Sequence, residues 1–261
     1  MLAQMSTAVM GVLIVSLVAL LAMIGVILME RQVPADIRKS RTTGLQQISG
    51  GLGAMFGVIV GFSAFLVLNK YHAAQQTVQS EAGDVEQVYR LAQPLPDAKQ
   101  EQIQGLVTSY ARAVVEEEWP LMRQGKWSPR ADDLADELRG SIQDGYKNGT
   151  DVERGFYSEE LSAMEDLEED RDARVIAVRT GLPAILWVAL IMLGVSMIGL
   201  SFMVGMESPR LHVLTVGTFA TGIALVLFTM AVLDRPFGTD FRVGPQPFVF
   251  VLHEIEGSAT P

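Results

Sequence analysis

Ser49 to His72 reads SGGLGAMFGVIVGFSAFLVLNKYH. Its central part, Gly51 to Leu68, carries no charge and ends in Asn69, Lys70 and Tyr71, the polar, basic and aromatic residues that suit a membrane–water interface. Gly53, Gly57 and Gly61 recur at every fourth residue and so fall along one helical face. A face without side chains lets another helix come very close. This stretch predicts a transmembrane helix made for helix contact, and the remaining chain has to be read as that of a membrane protein.

Three more spans follow from hydropathy. Ala8 to Met29 is an uncharged run of 22 residues, long enough to cross a hydrocarbon core. It lacks a basic flank before it and a small-residue cleavage site after it, so it reads as a retained helix. Leu182 to Val204 is the third span, with Pro183 in its first turn, and Val213 to Leu233 is the fourth, with Thr215, Thr218, Gly222 and Ala224 as small contact residues. Between the first two lies a basic connection, Glu30 to Gly50, with an interfacial turn expected from Ala35 to Arg41. Gly205 to Leu211 is expected to be a short turn between the last two.

Composition agrees. Of the 261 residues 49% are hydrophobic and only 19% charged. The charge is concentrated: Lys70 to Gly181 holds 13 Lys+Arg against 23 Asp+Glu, leaving 7 of each elsewhere, so the whole net charge of −10 belongs to this insert. An acidic surface argues against a nucleic-acid partner, because phosphate contacts need basic side chains.

Within the insert the pattern is helical. Thr77 to Ala92 carries Val78, Ala82, Val85 and Tyr89 as a stripe that could prolong the second span, until Pro94 and Pro96 stop it. Ala98 to Trp119 places Ile103, Leu106, Val107, Tyr110 and Val114 on one face, with Pro120 expected to end it. Glu116, Glu117 and Glu118 oppose the helix dipole there and read as a solvated acidic edge. A third helix shows Leu134, Leu138 and Ile142, closed by Gly145, Asn148 and Gly149. Ser158 to Thr180 is a charged helix with a thin seam of Leu161, Met164 and Leu167, and Asp170 and Arg174 spaced to pair along it. The tail from Asp234 to Pro261 is rich in Pro and Gly, with an apolar run from Phe248 to Leu252. The domain division is therefore 1–69, 70–181, 182–233 and 234–261.

Chemistry is sparse. There is no cysteine, and His72, His212 and His253 lie far apart without metal-ligand spacing. No nucleophile elbow, phosphate-cradling loop, metal-binding helix or dinucleotide fingerprint occurs, so no catalytic residue, cofactor or enzymatic activity is expected. None of the four predicted spans contains Asp, Glu, Lys, Arg or His, which weighs against a proton-coupled transporter. A pore of apolar and small residues, gated by dewetting, is compatible with that absence.

Two segments are similar to bestrophins: Val58 to Tyr71, VIVGFSAFLVLNKY, resembles their pore-lining second helix, and Arg235 to Phe241, RPFGTDF, resembles the segment after their fourth helix. The chain resembles the bacterial bestrophin-like family more fully, through YRLAQPLP (Tyr89 to Pro96), EEWP (Glu117 to Pro120), GLPAILW (Gly181 to Trp187) and DRPFG (Asp234 to Gly238). The resemblance implies an all-α protein with four transmembrane helices and a helical extramembrane domain between the second and third. It also implies a homo-oligomer, a pentamer, that conducts inorganic anions such as chloride. Phe62 matches the innermost neck aromatic, and Val58 and Ala54 fall at the next two neck positions, where they are not aromatic. Those three are the pore-lining candidates; Gly53, Gly57 and Gly61 are the packing candidates. Asp240 is all that survives of the acidic calcium run, and one carboxylate does not supply the six or more oxygens that calcium takes.

Four spans put both termini and the insert on one side. Lysines and arginines near the membrane ends number six on that side against five on the other, too even to orient the chain. The uncharged start followed by Arg31 leans toward an outside N-terminus, whereas the resemblance places termini and insert in the cytoplasm of a bacterial inner membrane. The alternative function is a non-conducting scaffold or sensor that binds a partner through the acidic domain.

Overall fold

The computed structural model describes residues 6–32, 42–204, 206 and 208–258, with backbone alone for 42–47 and 258. Among them every regular element is a helix: α1 (Thr7–Gln32), α2 (Thr42–Leu91), α3 (Asp97–Ala113), a π-helical turn (Val114–Glu118), α4 (Trp119–Met122), α5 (Pro129–Asn148), α6 (Asp151–Arg179), α7 (Ala184–Met203), α8 (Pro209–Leu233) and α9 (Gln246–Ser258). Helices α1, α2, α7 and α8 are long and apolar enough to cross a membrane. The protein is an all-α membrane protein with a helical domain between its second and third spans.

Several expected boundaries move. The connection from Glu30 to Gly50 is helical at both ends, since α1 runs to Gln32 and α2 starts at Thr42; Leu45, Gln46 and Gln47 are good helix formers. The turn expected from Ala35 to Arg41 lies outside the described residues. Helix α2 continues without a break to Leu91, because no proline interrupts it and the apolar stripe keeps its period. Pro183 stands just outside α7 as its N-cap, and α8 begins at Pro209, four residues before the expected span.

Pro120 does not end its helix. Proline has no N–H to give to the carbonyl four residues back and its ring crowds that carbonyl. The chain absorbs it by widening: Trp119 N–H bonds the Val114 carbonyl, five residues back, and helical structure runs on to Met122.

The chain divides into two compact units, Met1–Asn69 with Gly181–Asp234, and Lys70–Thr180 with Arg235–Pro261. The tail from Arg235 thus belongs with the helical insert.

In the first unit α1 packs along α8, and α7 packs on both. Ala22, Val26, Val216 and Ala220 form one buried cluster and Val67, Leu182, Leu190 and Met230 another. Close contact between these helices relies on absent side chains: a Cβ at Gly11 would lie 2.5 Å from the Phe228 ring. Such interlocking drives association in lipid, where apolar surface alone gains nothing by leaving the hydrocarbon.

In the second unit α2, α3, α5, α6 and α9 surround a core that includes Val78, Val85, Ile103, Val107, Leu138, Ile142, Met164, Leu167 and Phe248. Helix α6 starts with a reciprocal cap, in which Thr150 accepts from Glu153 N–H and the Glu153 carboxylate accepts from Thr150 N–H.

Candidate functional site

The membrane half of α2 has two unlike faces. Phe56, Ile59, Val60, Leu66 and Val67 pack inward on α7 and α8 residues such as Leu190 and Met230. Ala54, Met55, Gly57, Val58, Gly61, Phe62 and Phe65 are exposed, and at the helical advance per residue they fall in one arc of about 160°. Val58 is 72% and Phe62 56% exposed, so all three pore-lining candidates lie on the uncovered face.

The glycine row divides. A Cβ on Gly53 would sit 3.3 Å from Met197 Cε, so that glycine faces α7 of the same chain. Among the described residues nothing lies within 4 Å of such an atom on Gly57 or Gly61. They open onto the side shared by Val58 and Phe62.

Around this face the first unit is pinned by polar contacts at its helix ends. His212 in α8 is buried, with Nδ1 2.9 Å from Glu30 Oε1 of α1 and Nε2 3.0 Å from the Ser201 carbonyl of α7. It is therefore a packing residue inside the fourth span, because that helix starts earlier than hydropathy indicates. Asp234, at the exit of α8, accepts the Leu182 N–H at 2.7 Å and the Trp187 indole N–H at 3.4 Å, which ties that exit to the entrance of α7.

The second unit holds a buried charge cluster. Arg174 of α6 is wholly buried and forks onto Glu81 of α2: Nη2 donates to Glu81 Oε1 at 2.9 Å and Nε to Oε2. The same Nη2 donates to Glu118 Oε2 at 2.8 Å, and Arg171 donates to both Glu118 oxygens, at 2.9 and 3.1 Å. Ser128 N–H adds a fourth bond to Glu118, at 3.1 Å, which fills the acceptor capacity of one carboxylate. Tyr110 donates to Glu81 at 2.6 Å, and Arg171 reaches Asp132. The Arg174 guanidinium also lies 5.4 Å from the Trp119 ring centre and 5.9 Å from that of Phe248.

The electrostatics follow from these contacts. Burial alone would raise the Glu118 carboxyl, but Arg174 and Arg171 outweigh it and hold the group below the usual carboxylate range. Burial and then Glu81 push the Tyr110 hydroxyl well above its ordinary value, so it remains a donor at neutral pH. Near the cluster, burial and the neighbouring carboxylates Asp170, Asp166 and Glu81 raise Asp84 to about 6.

Two expectations are corrected here. Glu118 is not part of a solvated edge: the π-helical turn aims it inward onto two arginines. Arg174 does not pair along its helix with Asp170; it is bound by Glu81 and Glu118. Asp240 lies 3.9 Å from the Arg123 guanidinium, and among the described residues no group of three or more His, Asp or Glu side chains is placed to hold a metal ion.

The family model of the bestrophin-like domain matches residues 16–248. The chain belongs to the bestrophin-like family. Among solved structures, a proline-to-alanine variant of a membrane protein aligns with a TM-score of 0.71 at 12% identity, covering 93% of this chain and 99% of that one. The bacterial bestrophin homolog from Klebsiella pneumoniae aligns as a leucine-to-threonine variant with a TM-score of 0.67 at 11% identity (92% of this chain, 99% of that one), and as an aspartate-to-alanine variant with 0.68 at 10% (98% and 100%). At such identities the likeness is one of fold. No curated protein matches by sequence.

Motifs that are scattered in the sequence of this bestrophin-like chain meet in space. The Asp of DRPFG is Asp234, bonded to Leu182 and Trp187 of GLPAILW. The second Glu of EEWP is Glu118, and its Trp119 stacks edge-on against Phe237 of the Pro-Phe-Gly segment, ring centres 6.0 Å apart. Glu81, Arg171 and His212 carry no such motif. The signal that marks Glu81 is positional: it continues the stripe of Val78, Ala82 and Val85 on the buried side.

Proposed function

We propose that this chain assembles as a homo-oligomer, a pentamer, in which α2 of every copy faces a common axis, and that inorganic anions such as chloride pass along that axis. The observation that carries this reading is the uncovered α2 face. Gly57 and Gly61 gain little from lipid tails but allow a helix of a second copy to approach its backbone closely. Ala54, Val58 and Phe62 stand beside them on the same uncovered arc. Such a lining has no fixed charge, so it would act by wetting and dewetting, with backbone and helix-end dipoles offering the polar contacts. With Val58 and Ala54 in place of rings, Phe62 is the narrowest of the three candidate positions. Membership of the family, and apolar runs (Ala8 to Met29, Gly51 to Leu68, Leu182 to Val204 and Val213 to Leu233) that hold no Asp, Glu, Lys, Arg or His, support a channel over a carrier or an enzyme. In this reading the protein sits in a bacterial inner membrane with its termini and residues 70–181 in the cytoplasm.

A second reading, a scaffold or sensor that binds a partner through the acidic helical unit, is favoured by one observation, the concentration of the entire net charge of −10 in residues 70–181.

The test uses the absence of cysteine from the chain. Phe62→Cys in proteoliposomes should conduct chloride and be blocked by a charged thiol reagent. The same reagent should leave Ile191→Cys unaffected, since Ile191 is an exposed position on α7. Phe62→Ala should change conductance. No chloride flux from the unmodified protein, together with a monomeric mass in detergent, would refute the reading.

A further inference from the structure

Most buried ionisable groups of the helical unit are occupied by one another: Glu81 and Glu118 by Arg171, Arg174 and Tyr110. Glu160 of α6 is not. It is 0% exposed, and neither carboxyl oxygen has a hydrogen-bond partner among the described residues. The hydroxyl of Ser141 on α5 is in the same condition.

Helices α5 and α6 form an antiparallel hairpin across Gly149 and Thr150. Arg139 bonds Glu168 on one side of it, and nearer the tip the Tyr157 ring lies against Gly145, where it occupies the place of a Cβ. Ser141 is one turn before Gly145 and Glu160 one turn after Tyr157. In an antiparallel pair these steps run the same way, so the two unpartnered polar groups belong to one layer of the interface.

A buried carboxylic acid is tolerable where a buried carboxylate is not, because only the charged form loses its full hydration. We propose that Glu160 is a proton-binding site that keeps the α5–α6 hairpin closed while occupied and lets it open to water when the proton leaves. Burial, the single cause acting on it, pushes this carboxyl up to about 7. The groups around it do not compensate a charge. On α6 these are Tyr157, itself raised by burial and by Glu160 and Glu153. The buried positions of α5 are Ala131, Ala135, Leu138, Ser141, Ile142 and Gly145, with Asp144 and Lys147 exposed. Helix α3 offers Tyr110, bound to Glu81, and α2 offers Glu81, held by Arg174, and Asp84, set beside Asp170.

The folded value lies above the ordinary 4.5. The stabilisation is therefore complete below 4.5 and is lost as pH rises through about 7. Hydrogen exchange of the full chain in micelles, corrected for intrinsic rates, reads this directly. Between about pH 6 and about pH 8 protection of peptides from the Ser141–Glu160 layer should fall about tenfold, against about twofold at most for peptides around Arg171 and Arg174, beside Asp84. Glu160→Gln should remove the fall. An equal fall in Glu160→Gln, or none in the unsubstituted protein, overturns the proposal. Should Glu160→Gln fail to fold, infrared spectra decide in an Asp84→Asn background. A protonated carboxyl band that vanishes over the same pH interval supports the site, and its absence at about pH 6 overturns it.

Discussion

Replacing Arg174 with methionine removes the cation that is bonded to Glu81 among the described residues. Glu81 would keep the Tyr110 hydroxyl at 2.6 Å but remain a wholly buried carboxylate. Glu118 loses one bond and retains both from Arg171 and one from Ser128 N–H. Methionine fills much of the space beside Trp119 and Phe248, so the lost packing is small and the uncompensated charge dominates. Removing one partner of a buried pair costs about 3–5 kcal/mol, and Arg174→Met is expected at that level. Glu81→Gln should also destabilise, because it leaves Arg174 with Glu118 alone. The double variant Arg174→Met/Glu81→Gln removes both charges, so its cost should fall short of the sum of the singles by about 1–3 kcal/mol. The assay is denaturation of the full chain in micelles, followed by tryptophan fluorescence, run as a double-mutant cycle. A cost below about 1 kcal/mol for Arg174→Met, the level of an exposed pair, or strict additivity in the cycle, would show that water reaches the cluster and would refute the reasoning.

Three further outcomes are expected. Gly11→Leu drives a side chain into the Phe228 ring and should cost about 1–3 kcal/mol of subunit stability. Gly57→Leu, whose Cβ would meet nothing within 4 Å among the described residues, should leave that stability unchanged while lowering the oligomer fraction in light-scattering mass measurements. Asp84, raised to about 6 from 3.8, contributes stability that is full below 3.8 and lost as pH rises through about 6. Asp84→Asn should accordingly flatten the pH dependence of the melting temperature in that interval and leave the fall toward pH 7 in place.

The spans were legible because an uncharged run the length of a bilayer has few other uses, and α2 was legible as a continuation because its apolar stripe keeps step past Lys70. Their ends were less so. Hydropathy marks where charge stops, whereas a helix goes on until a cap or proline stops it, and α1, α2 and α8 all reach beyond their apolar runs. Phe62, Val58 and Ala54 share a face because the period of a helix requires it. That Gly53 alone meets α7 depends on where α7 lies, which no local pattern encodes. The charge cluster was hidden by its own composition. Glu118 stands in a run of three glutamates and Arg174 in a run of charges, where solvated faces are the usual case. What distinguishes them is spacing: Met164, Leu167, Arg171 and Arg174 follow one another at three and four residues, so the arginines prolong the apolar seam into the core.

The π-helical turn at Val114–Glu118 has a consequence for how this chain can vary. A π turn is one residue more than the α-helix needs, and each residue advances a helix by about 100°. Dropping Glu116 or Glu117 would place Trp119 four residues after Val114, where its N–H can keep the same carbonyl in α geometry and Glu118 and Trp119 retain their faces. An inserted residue has no such outlet and would turn Glu118 off the arginines by about 100°. The widened turn lets this stretch lose a residue more readily than gain one.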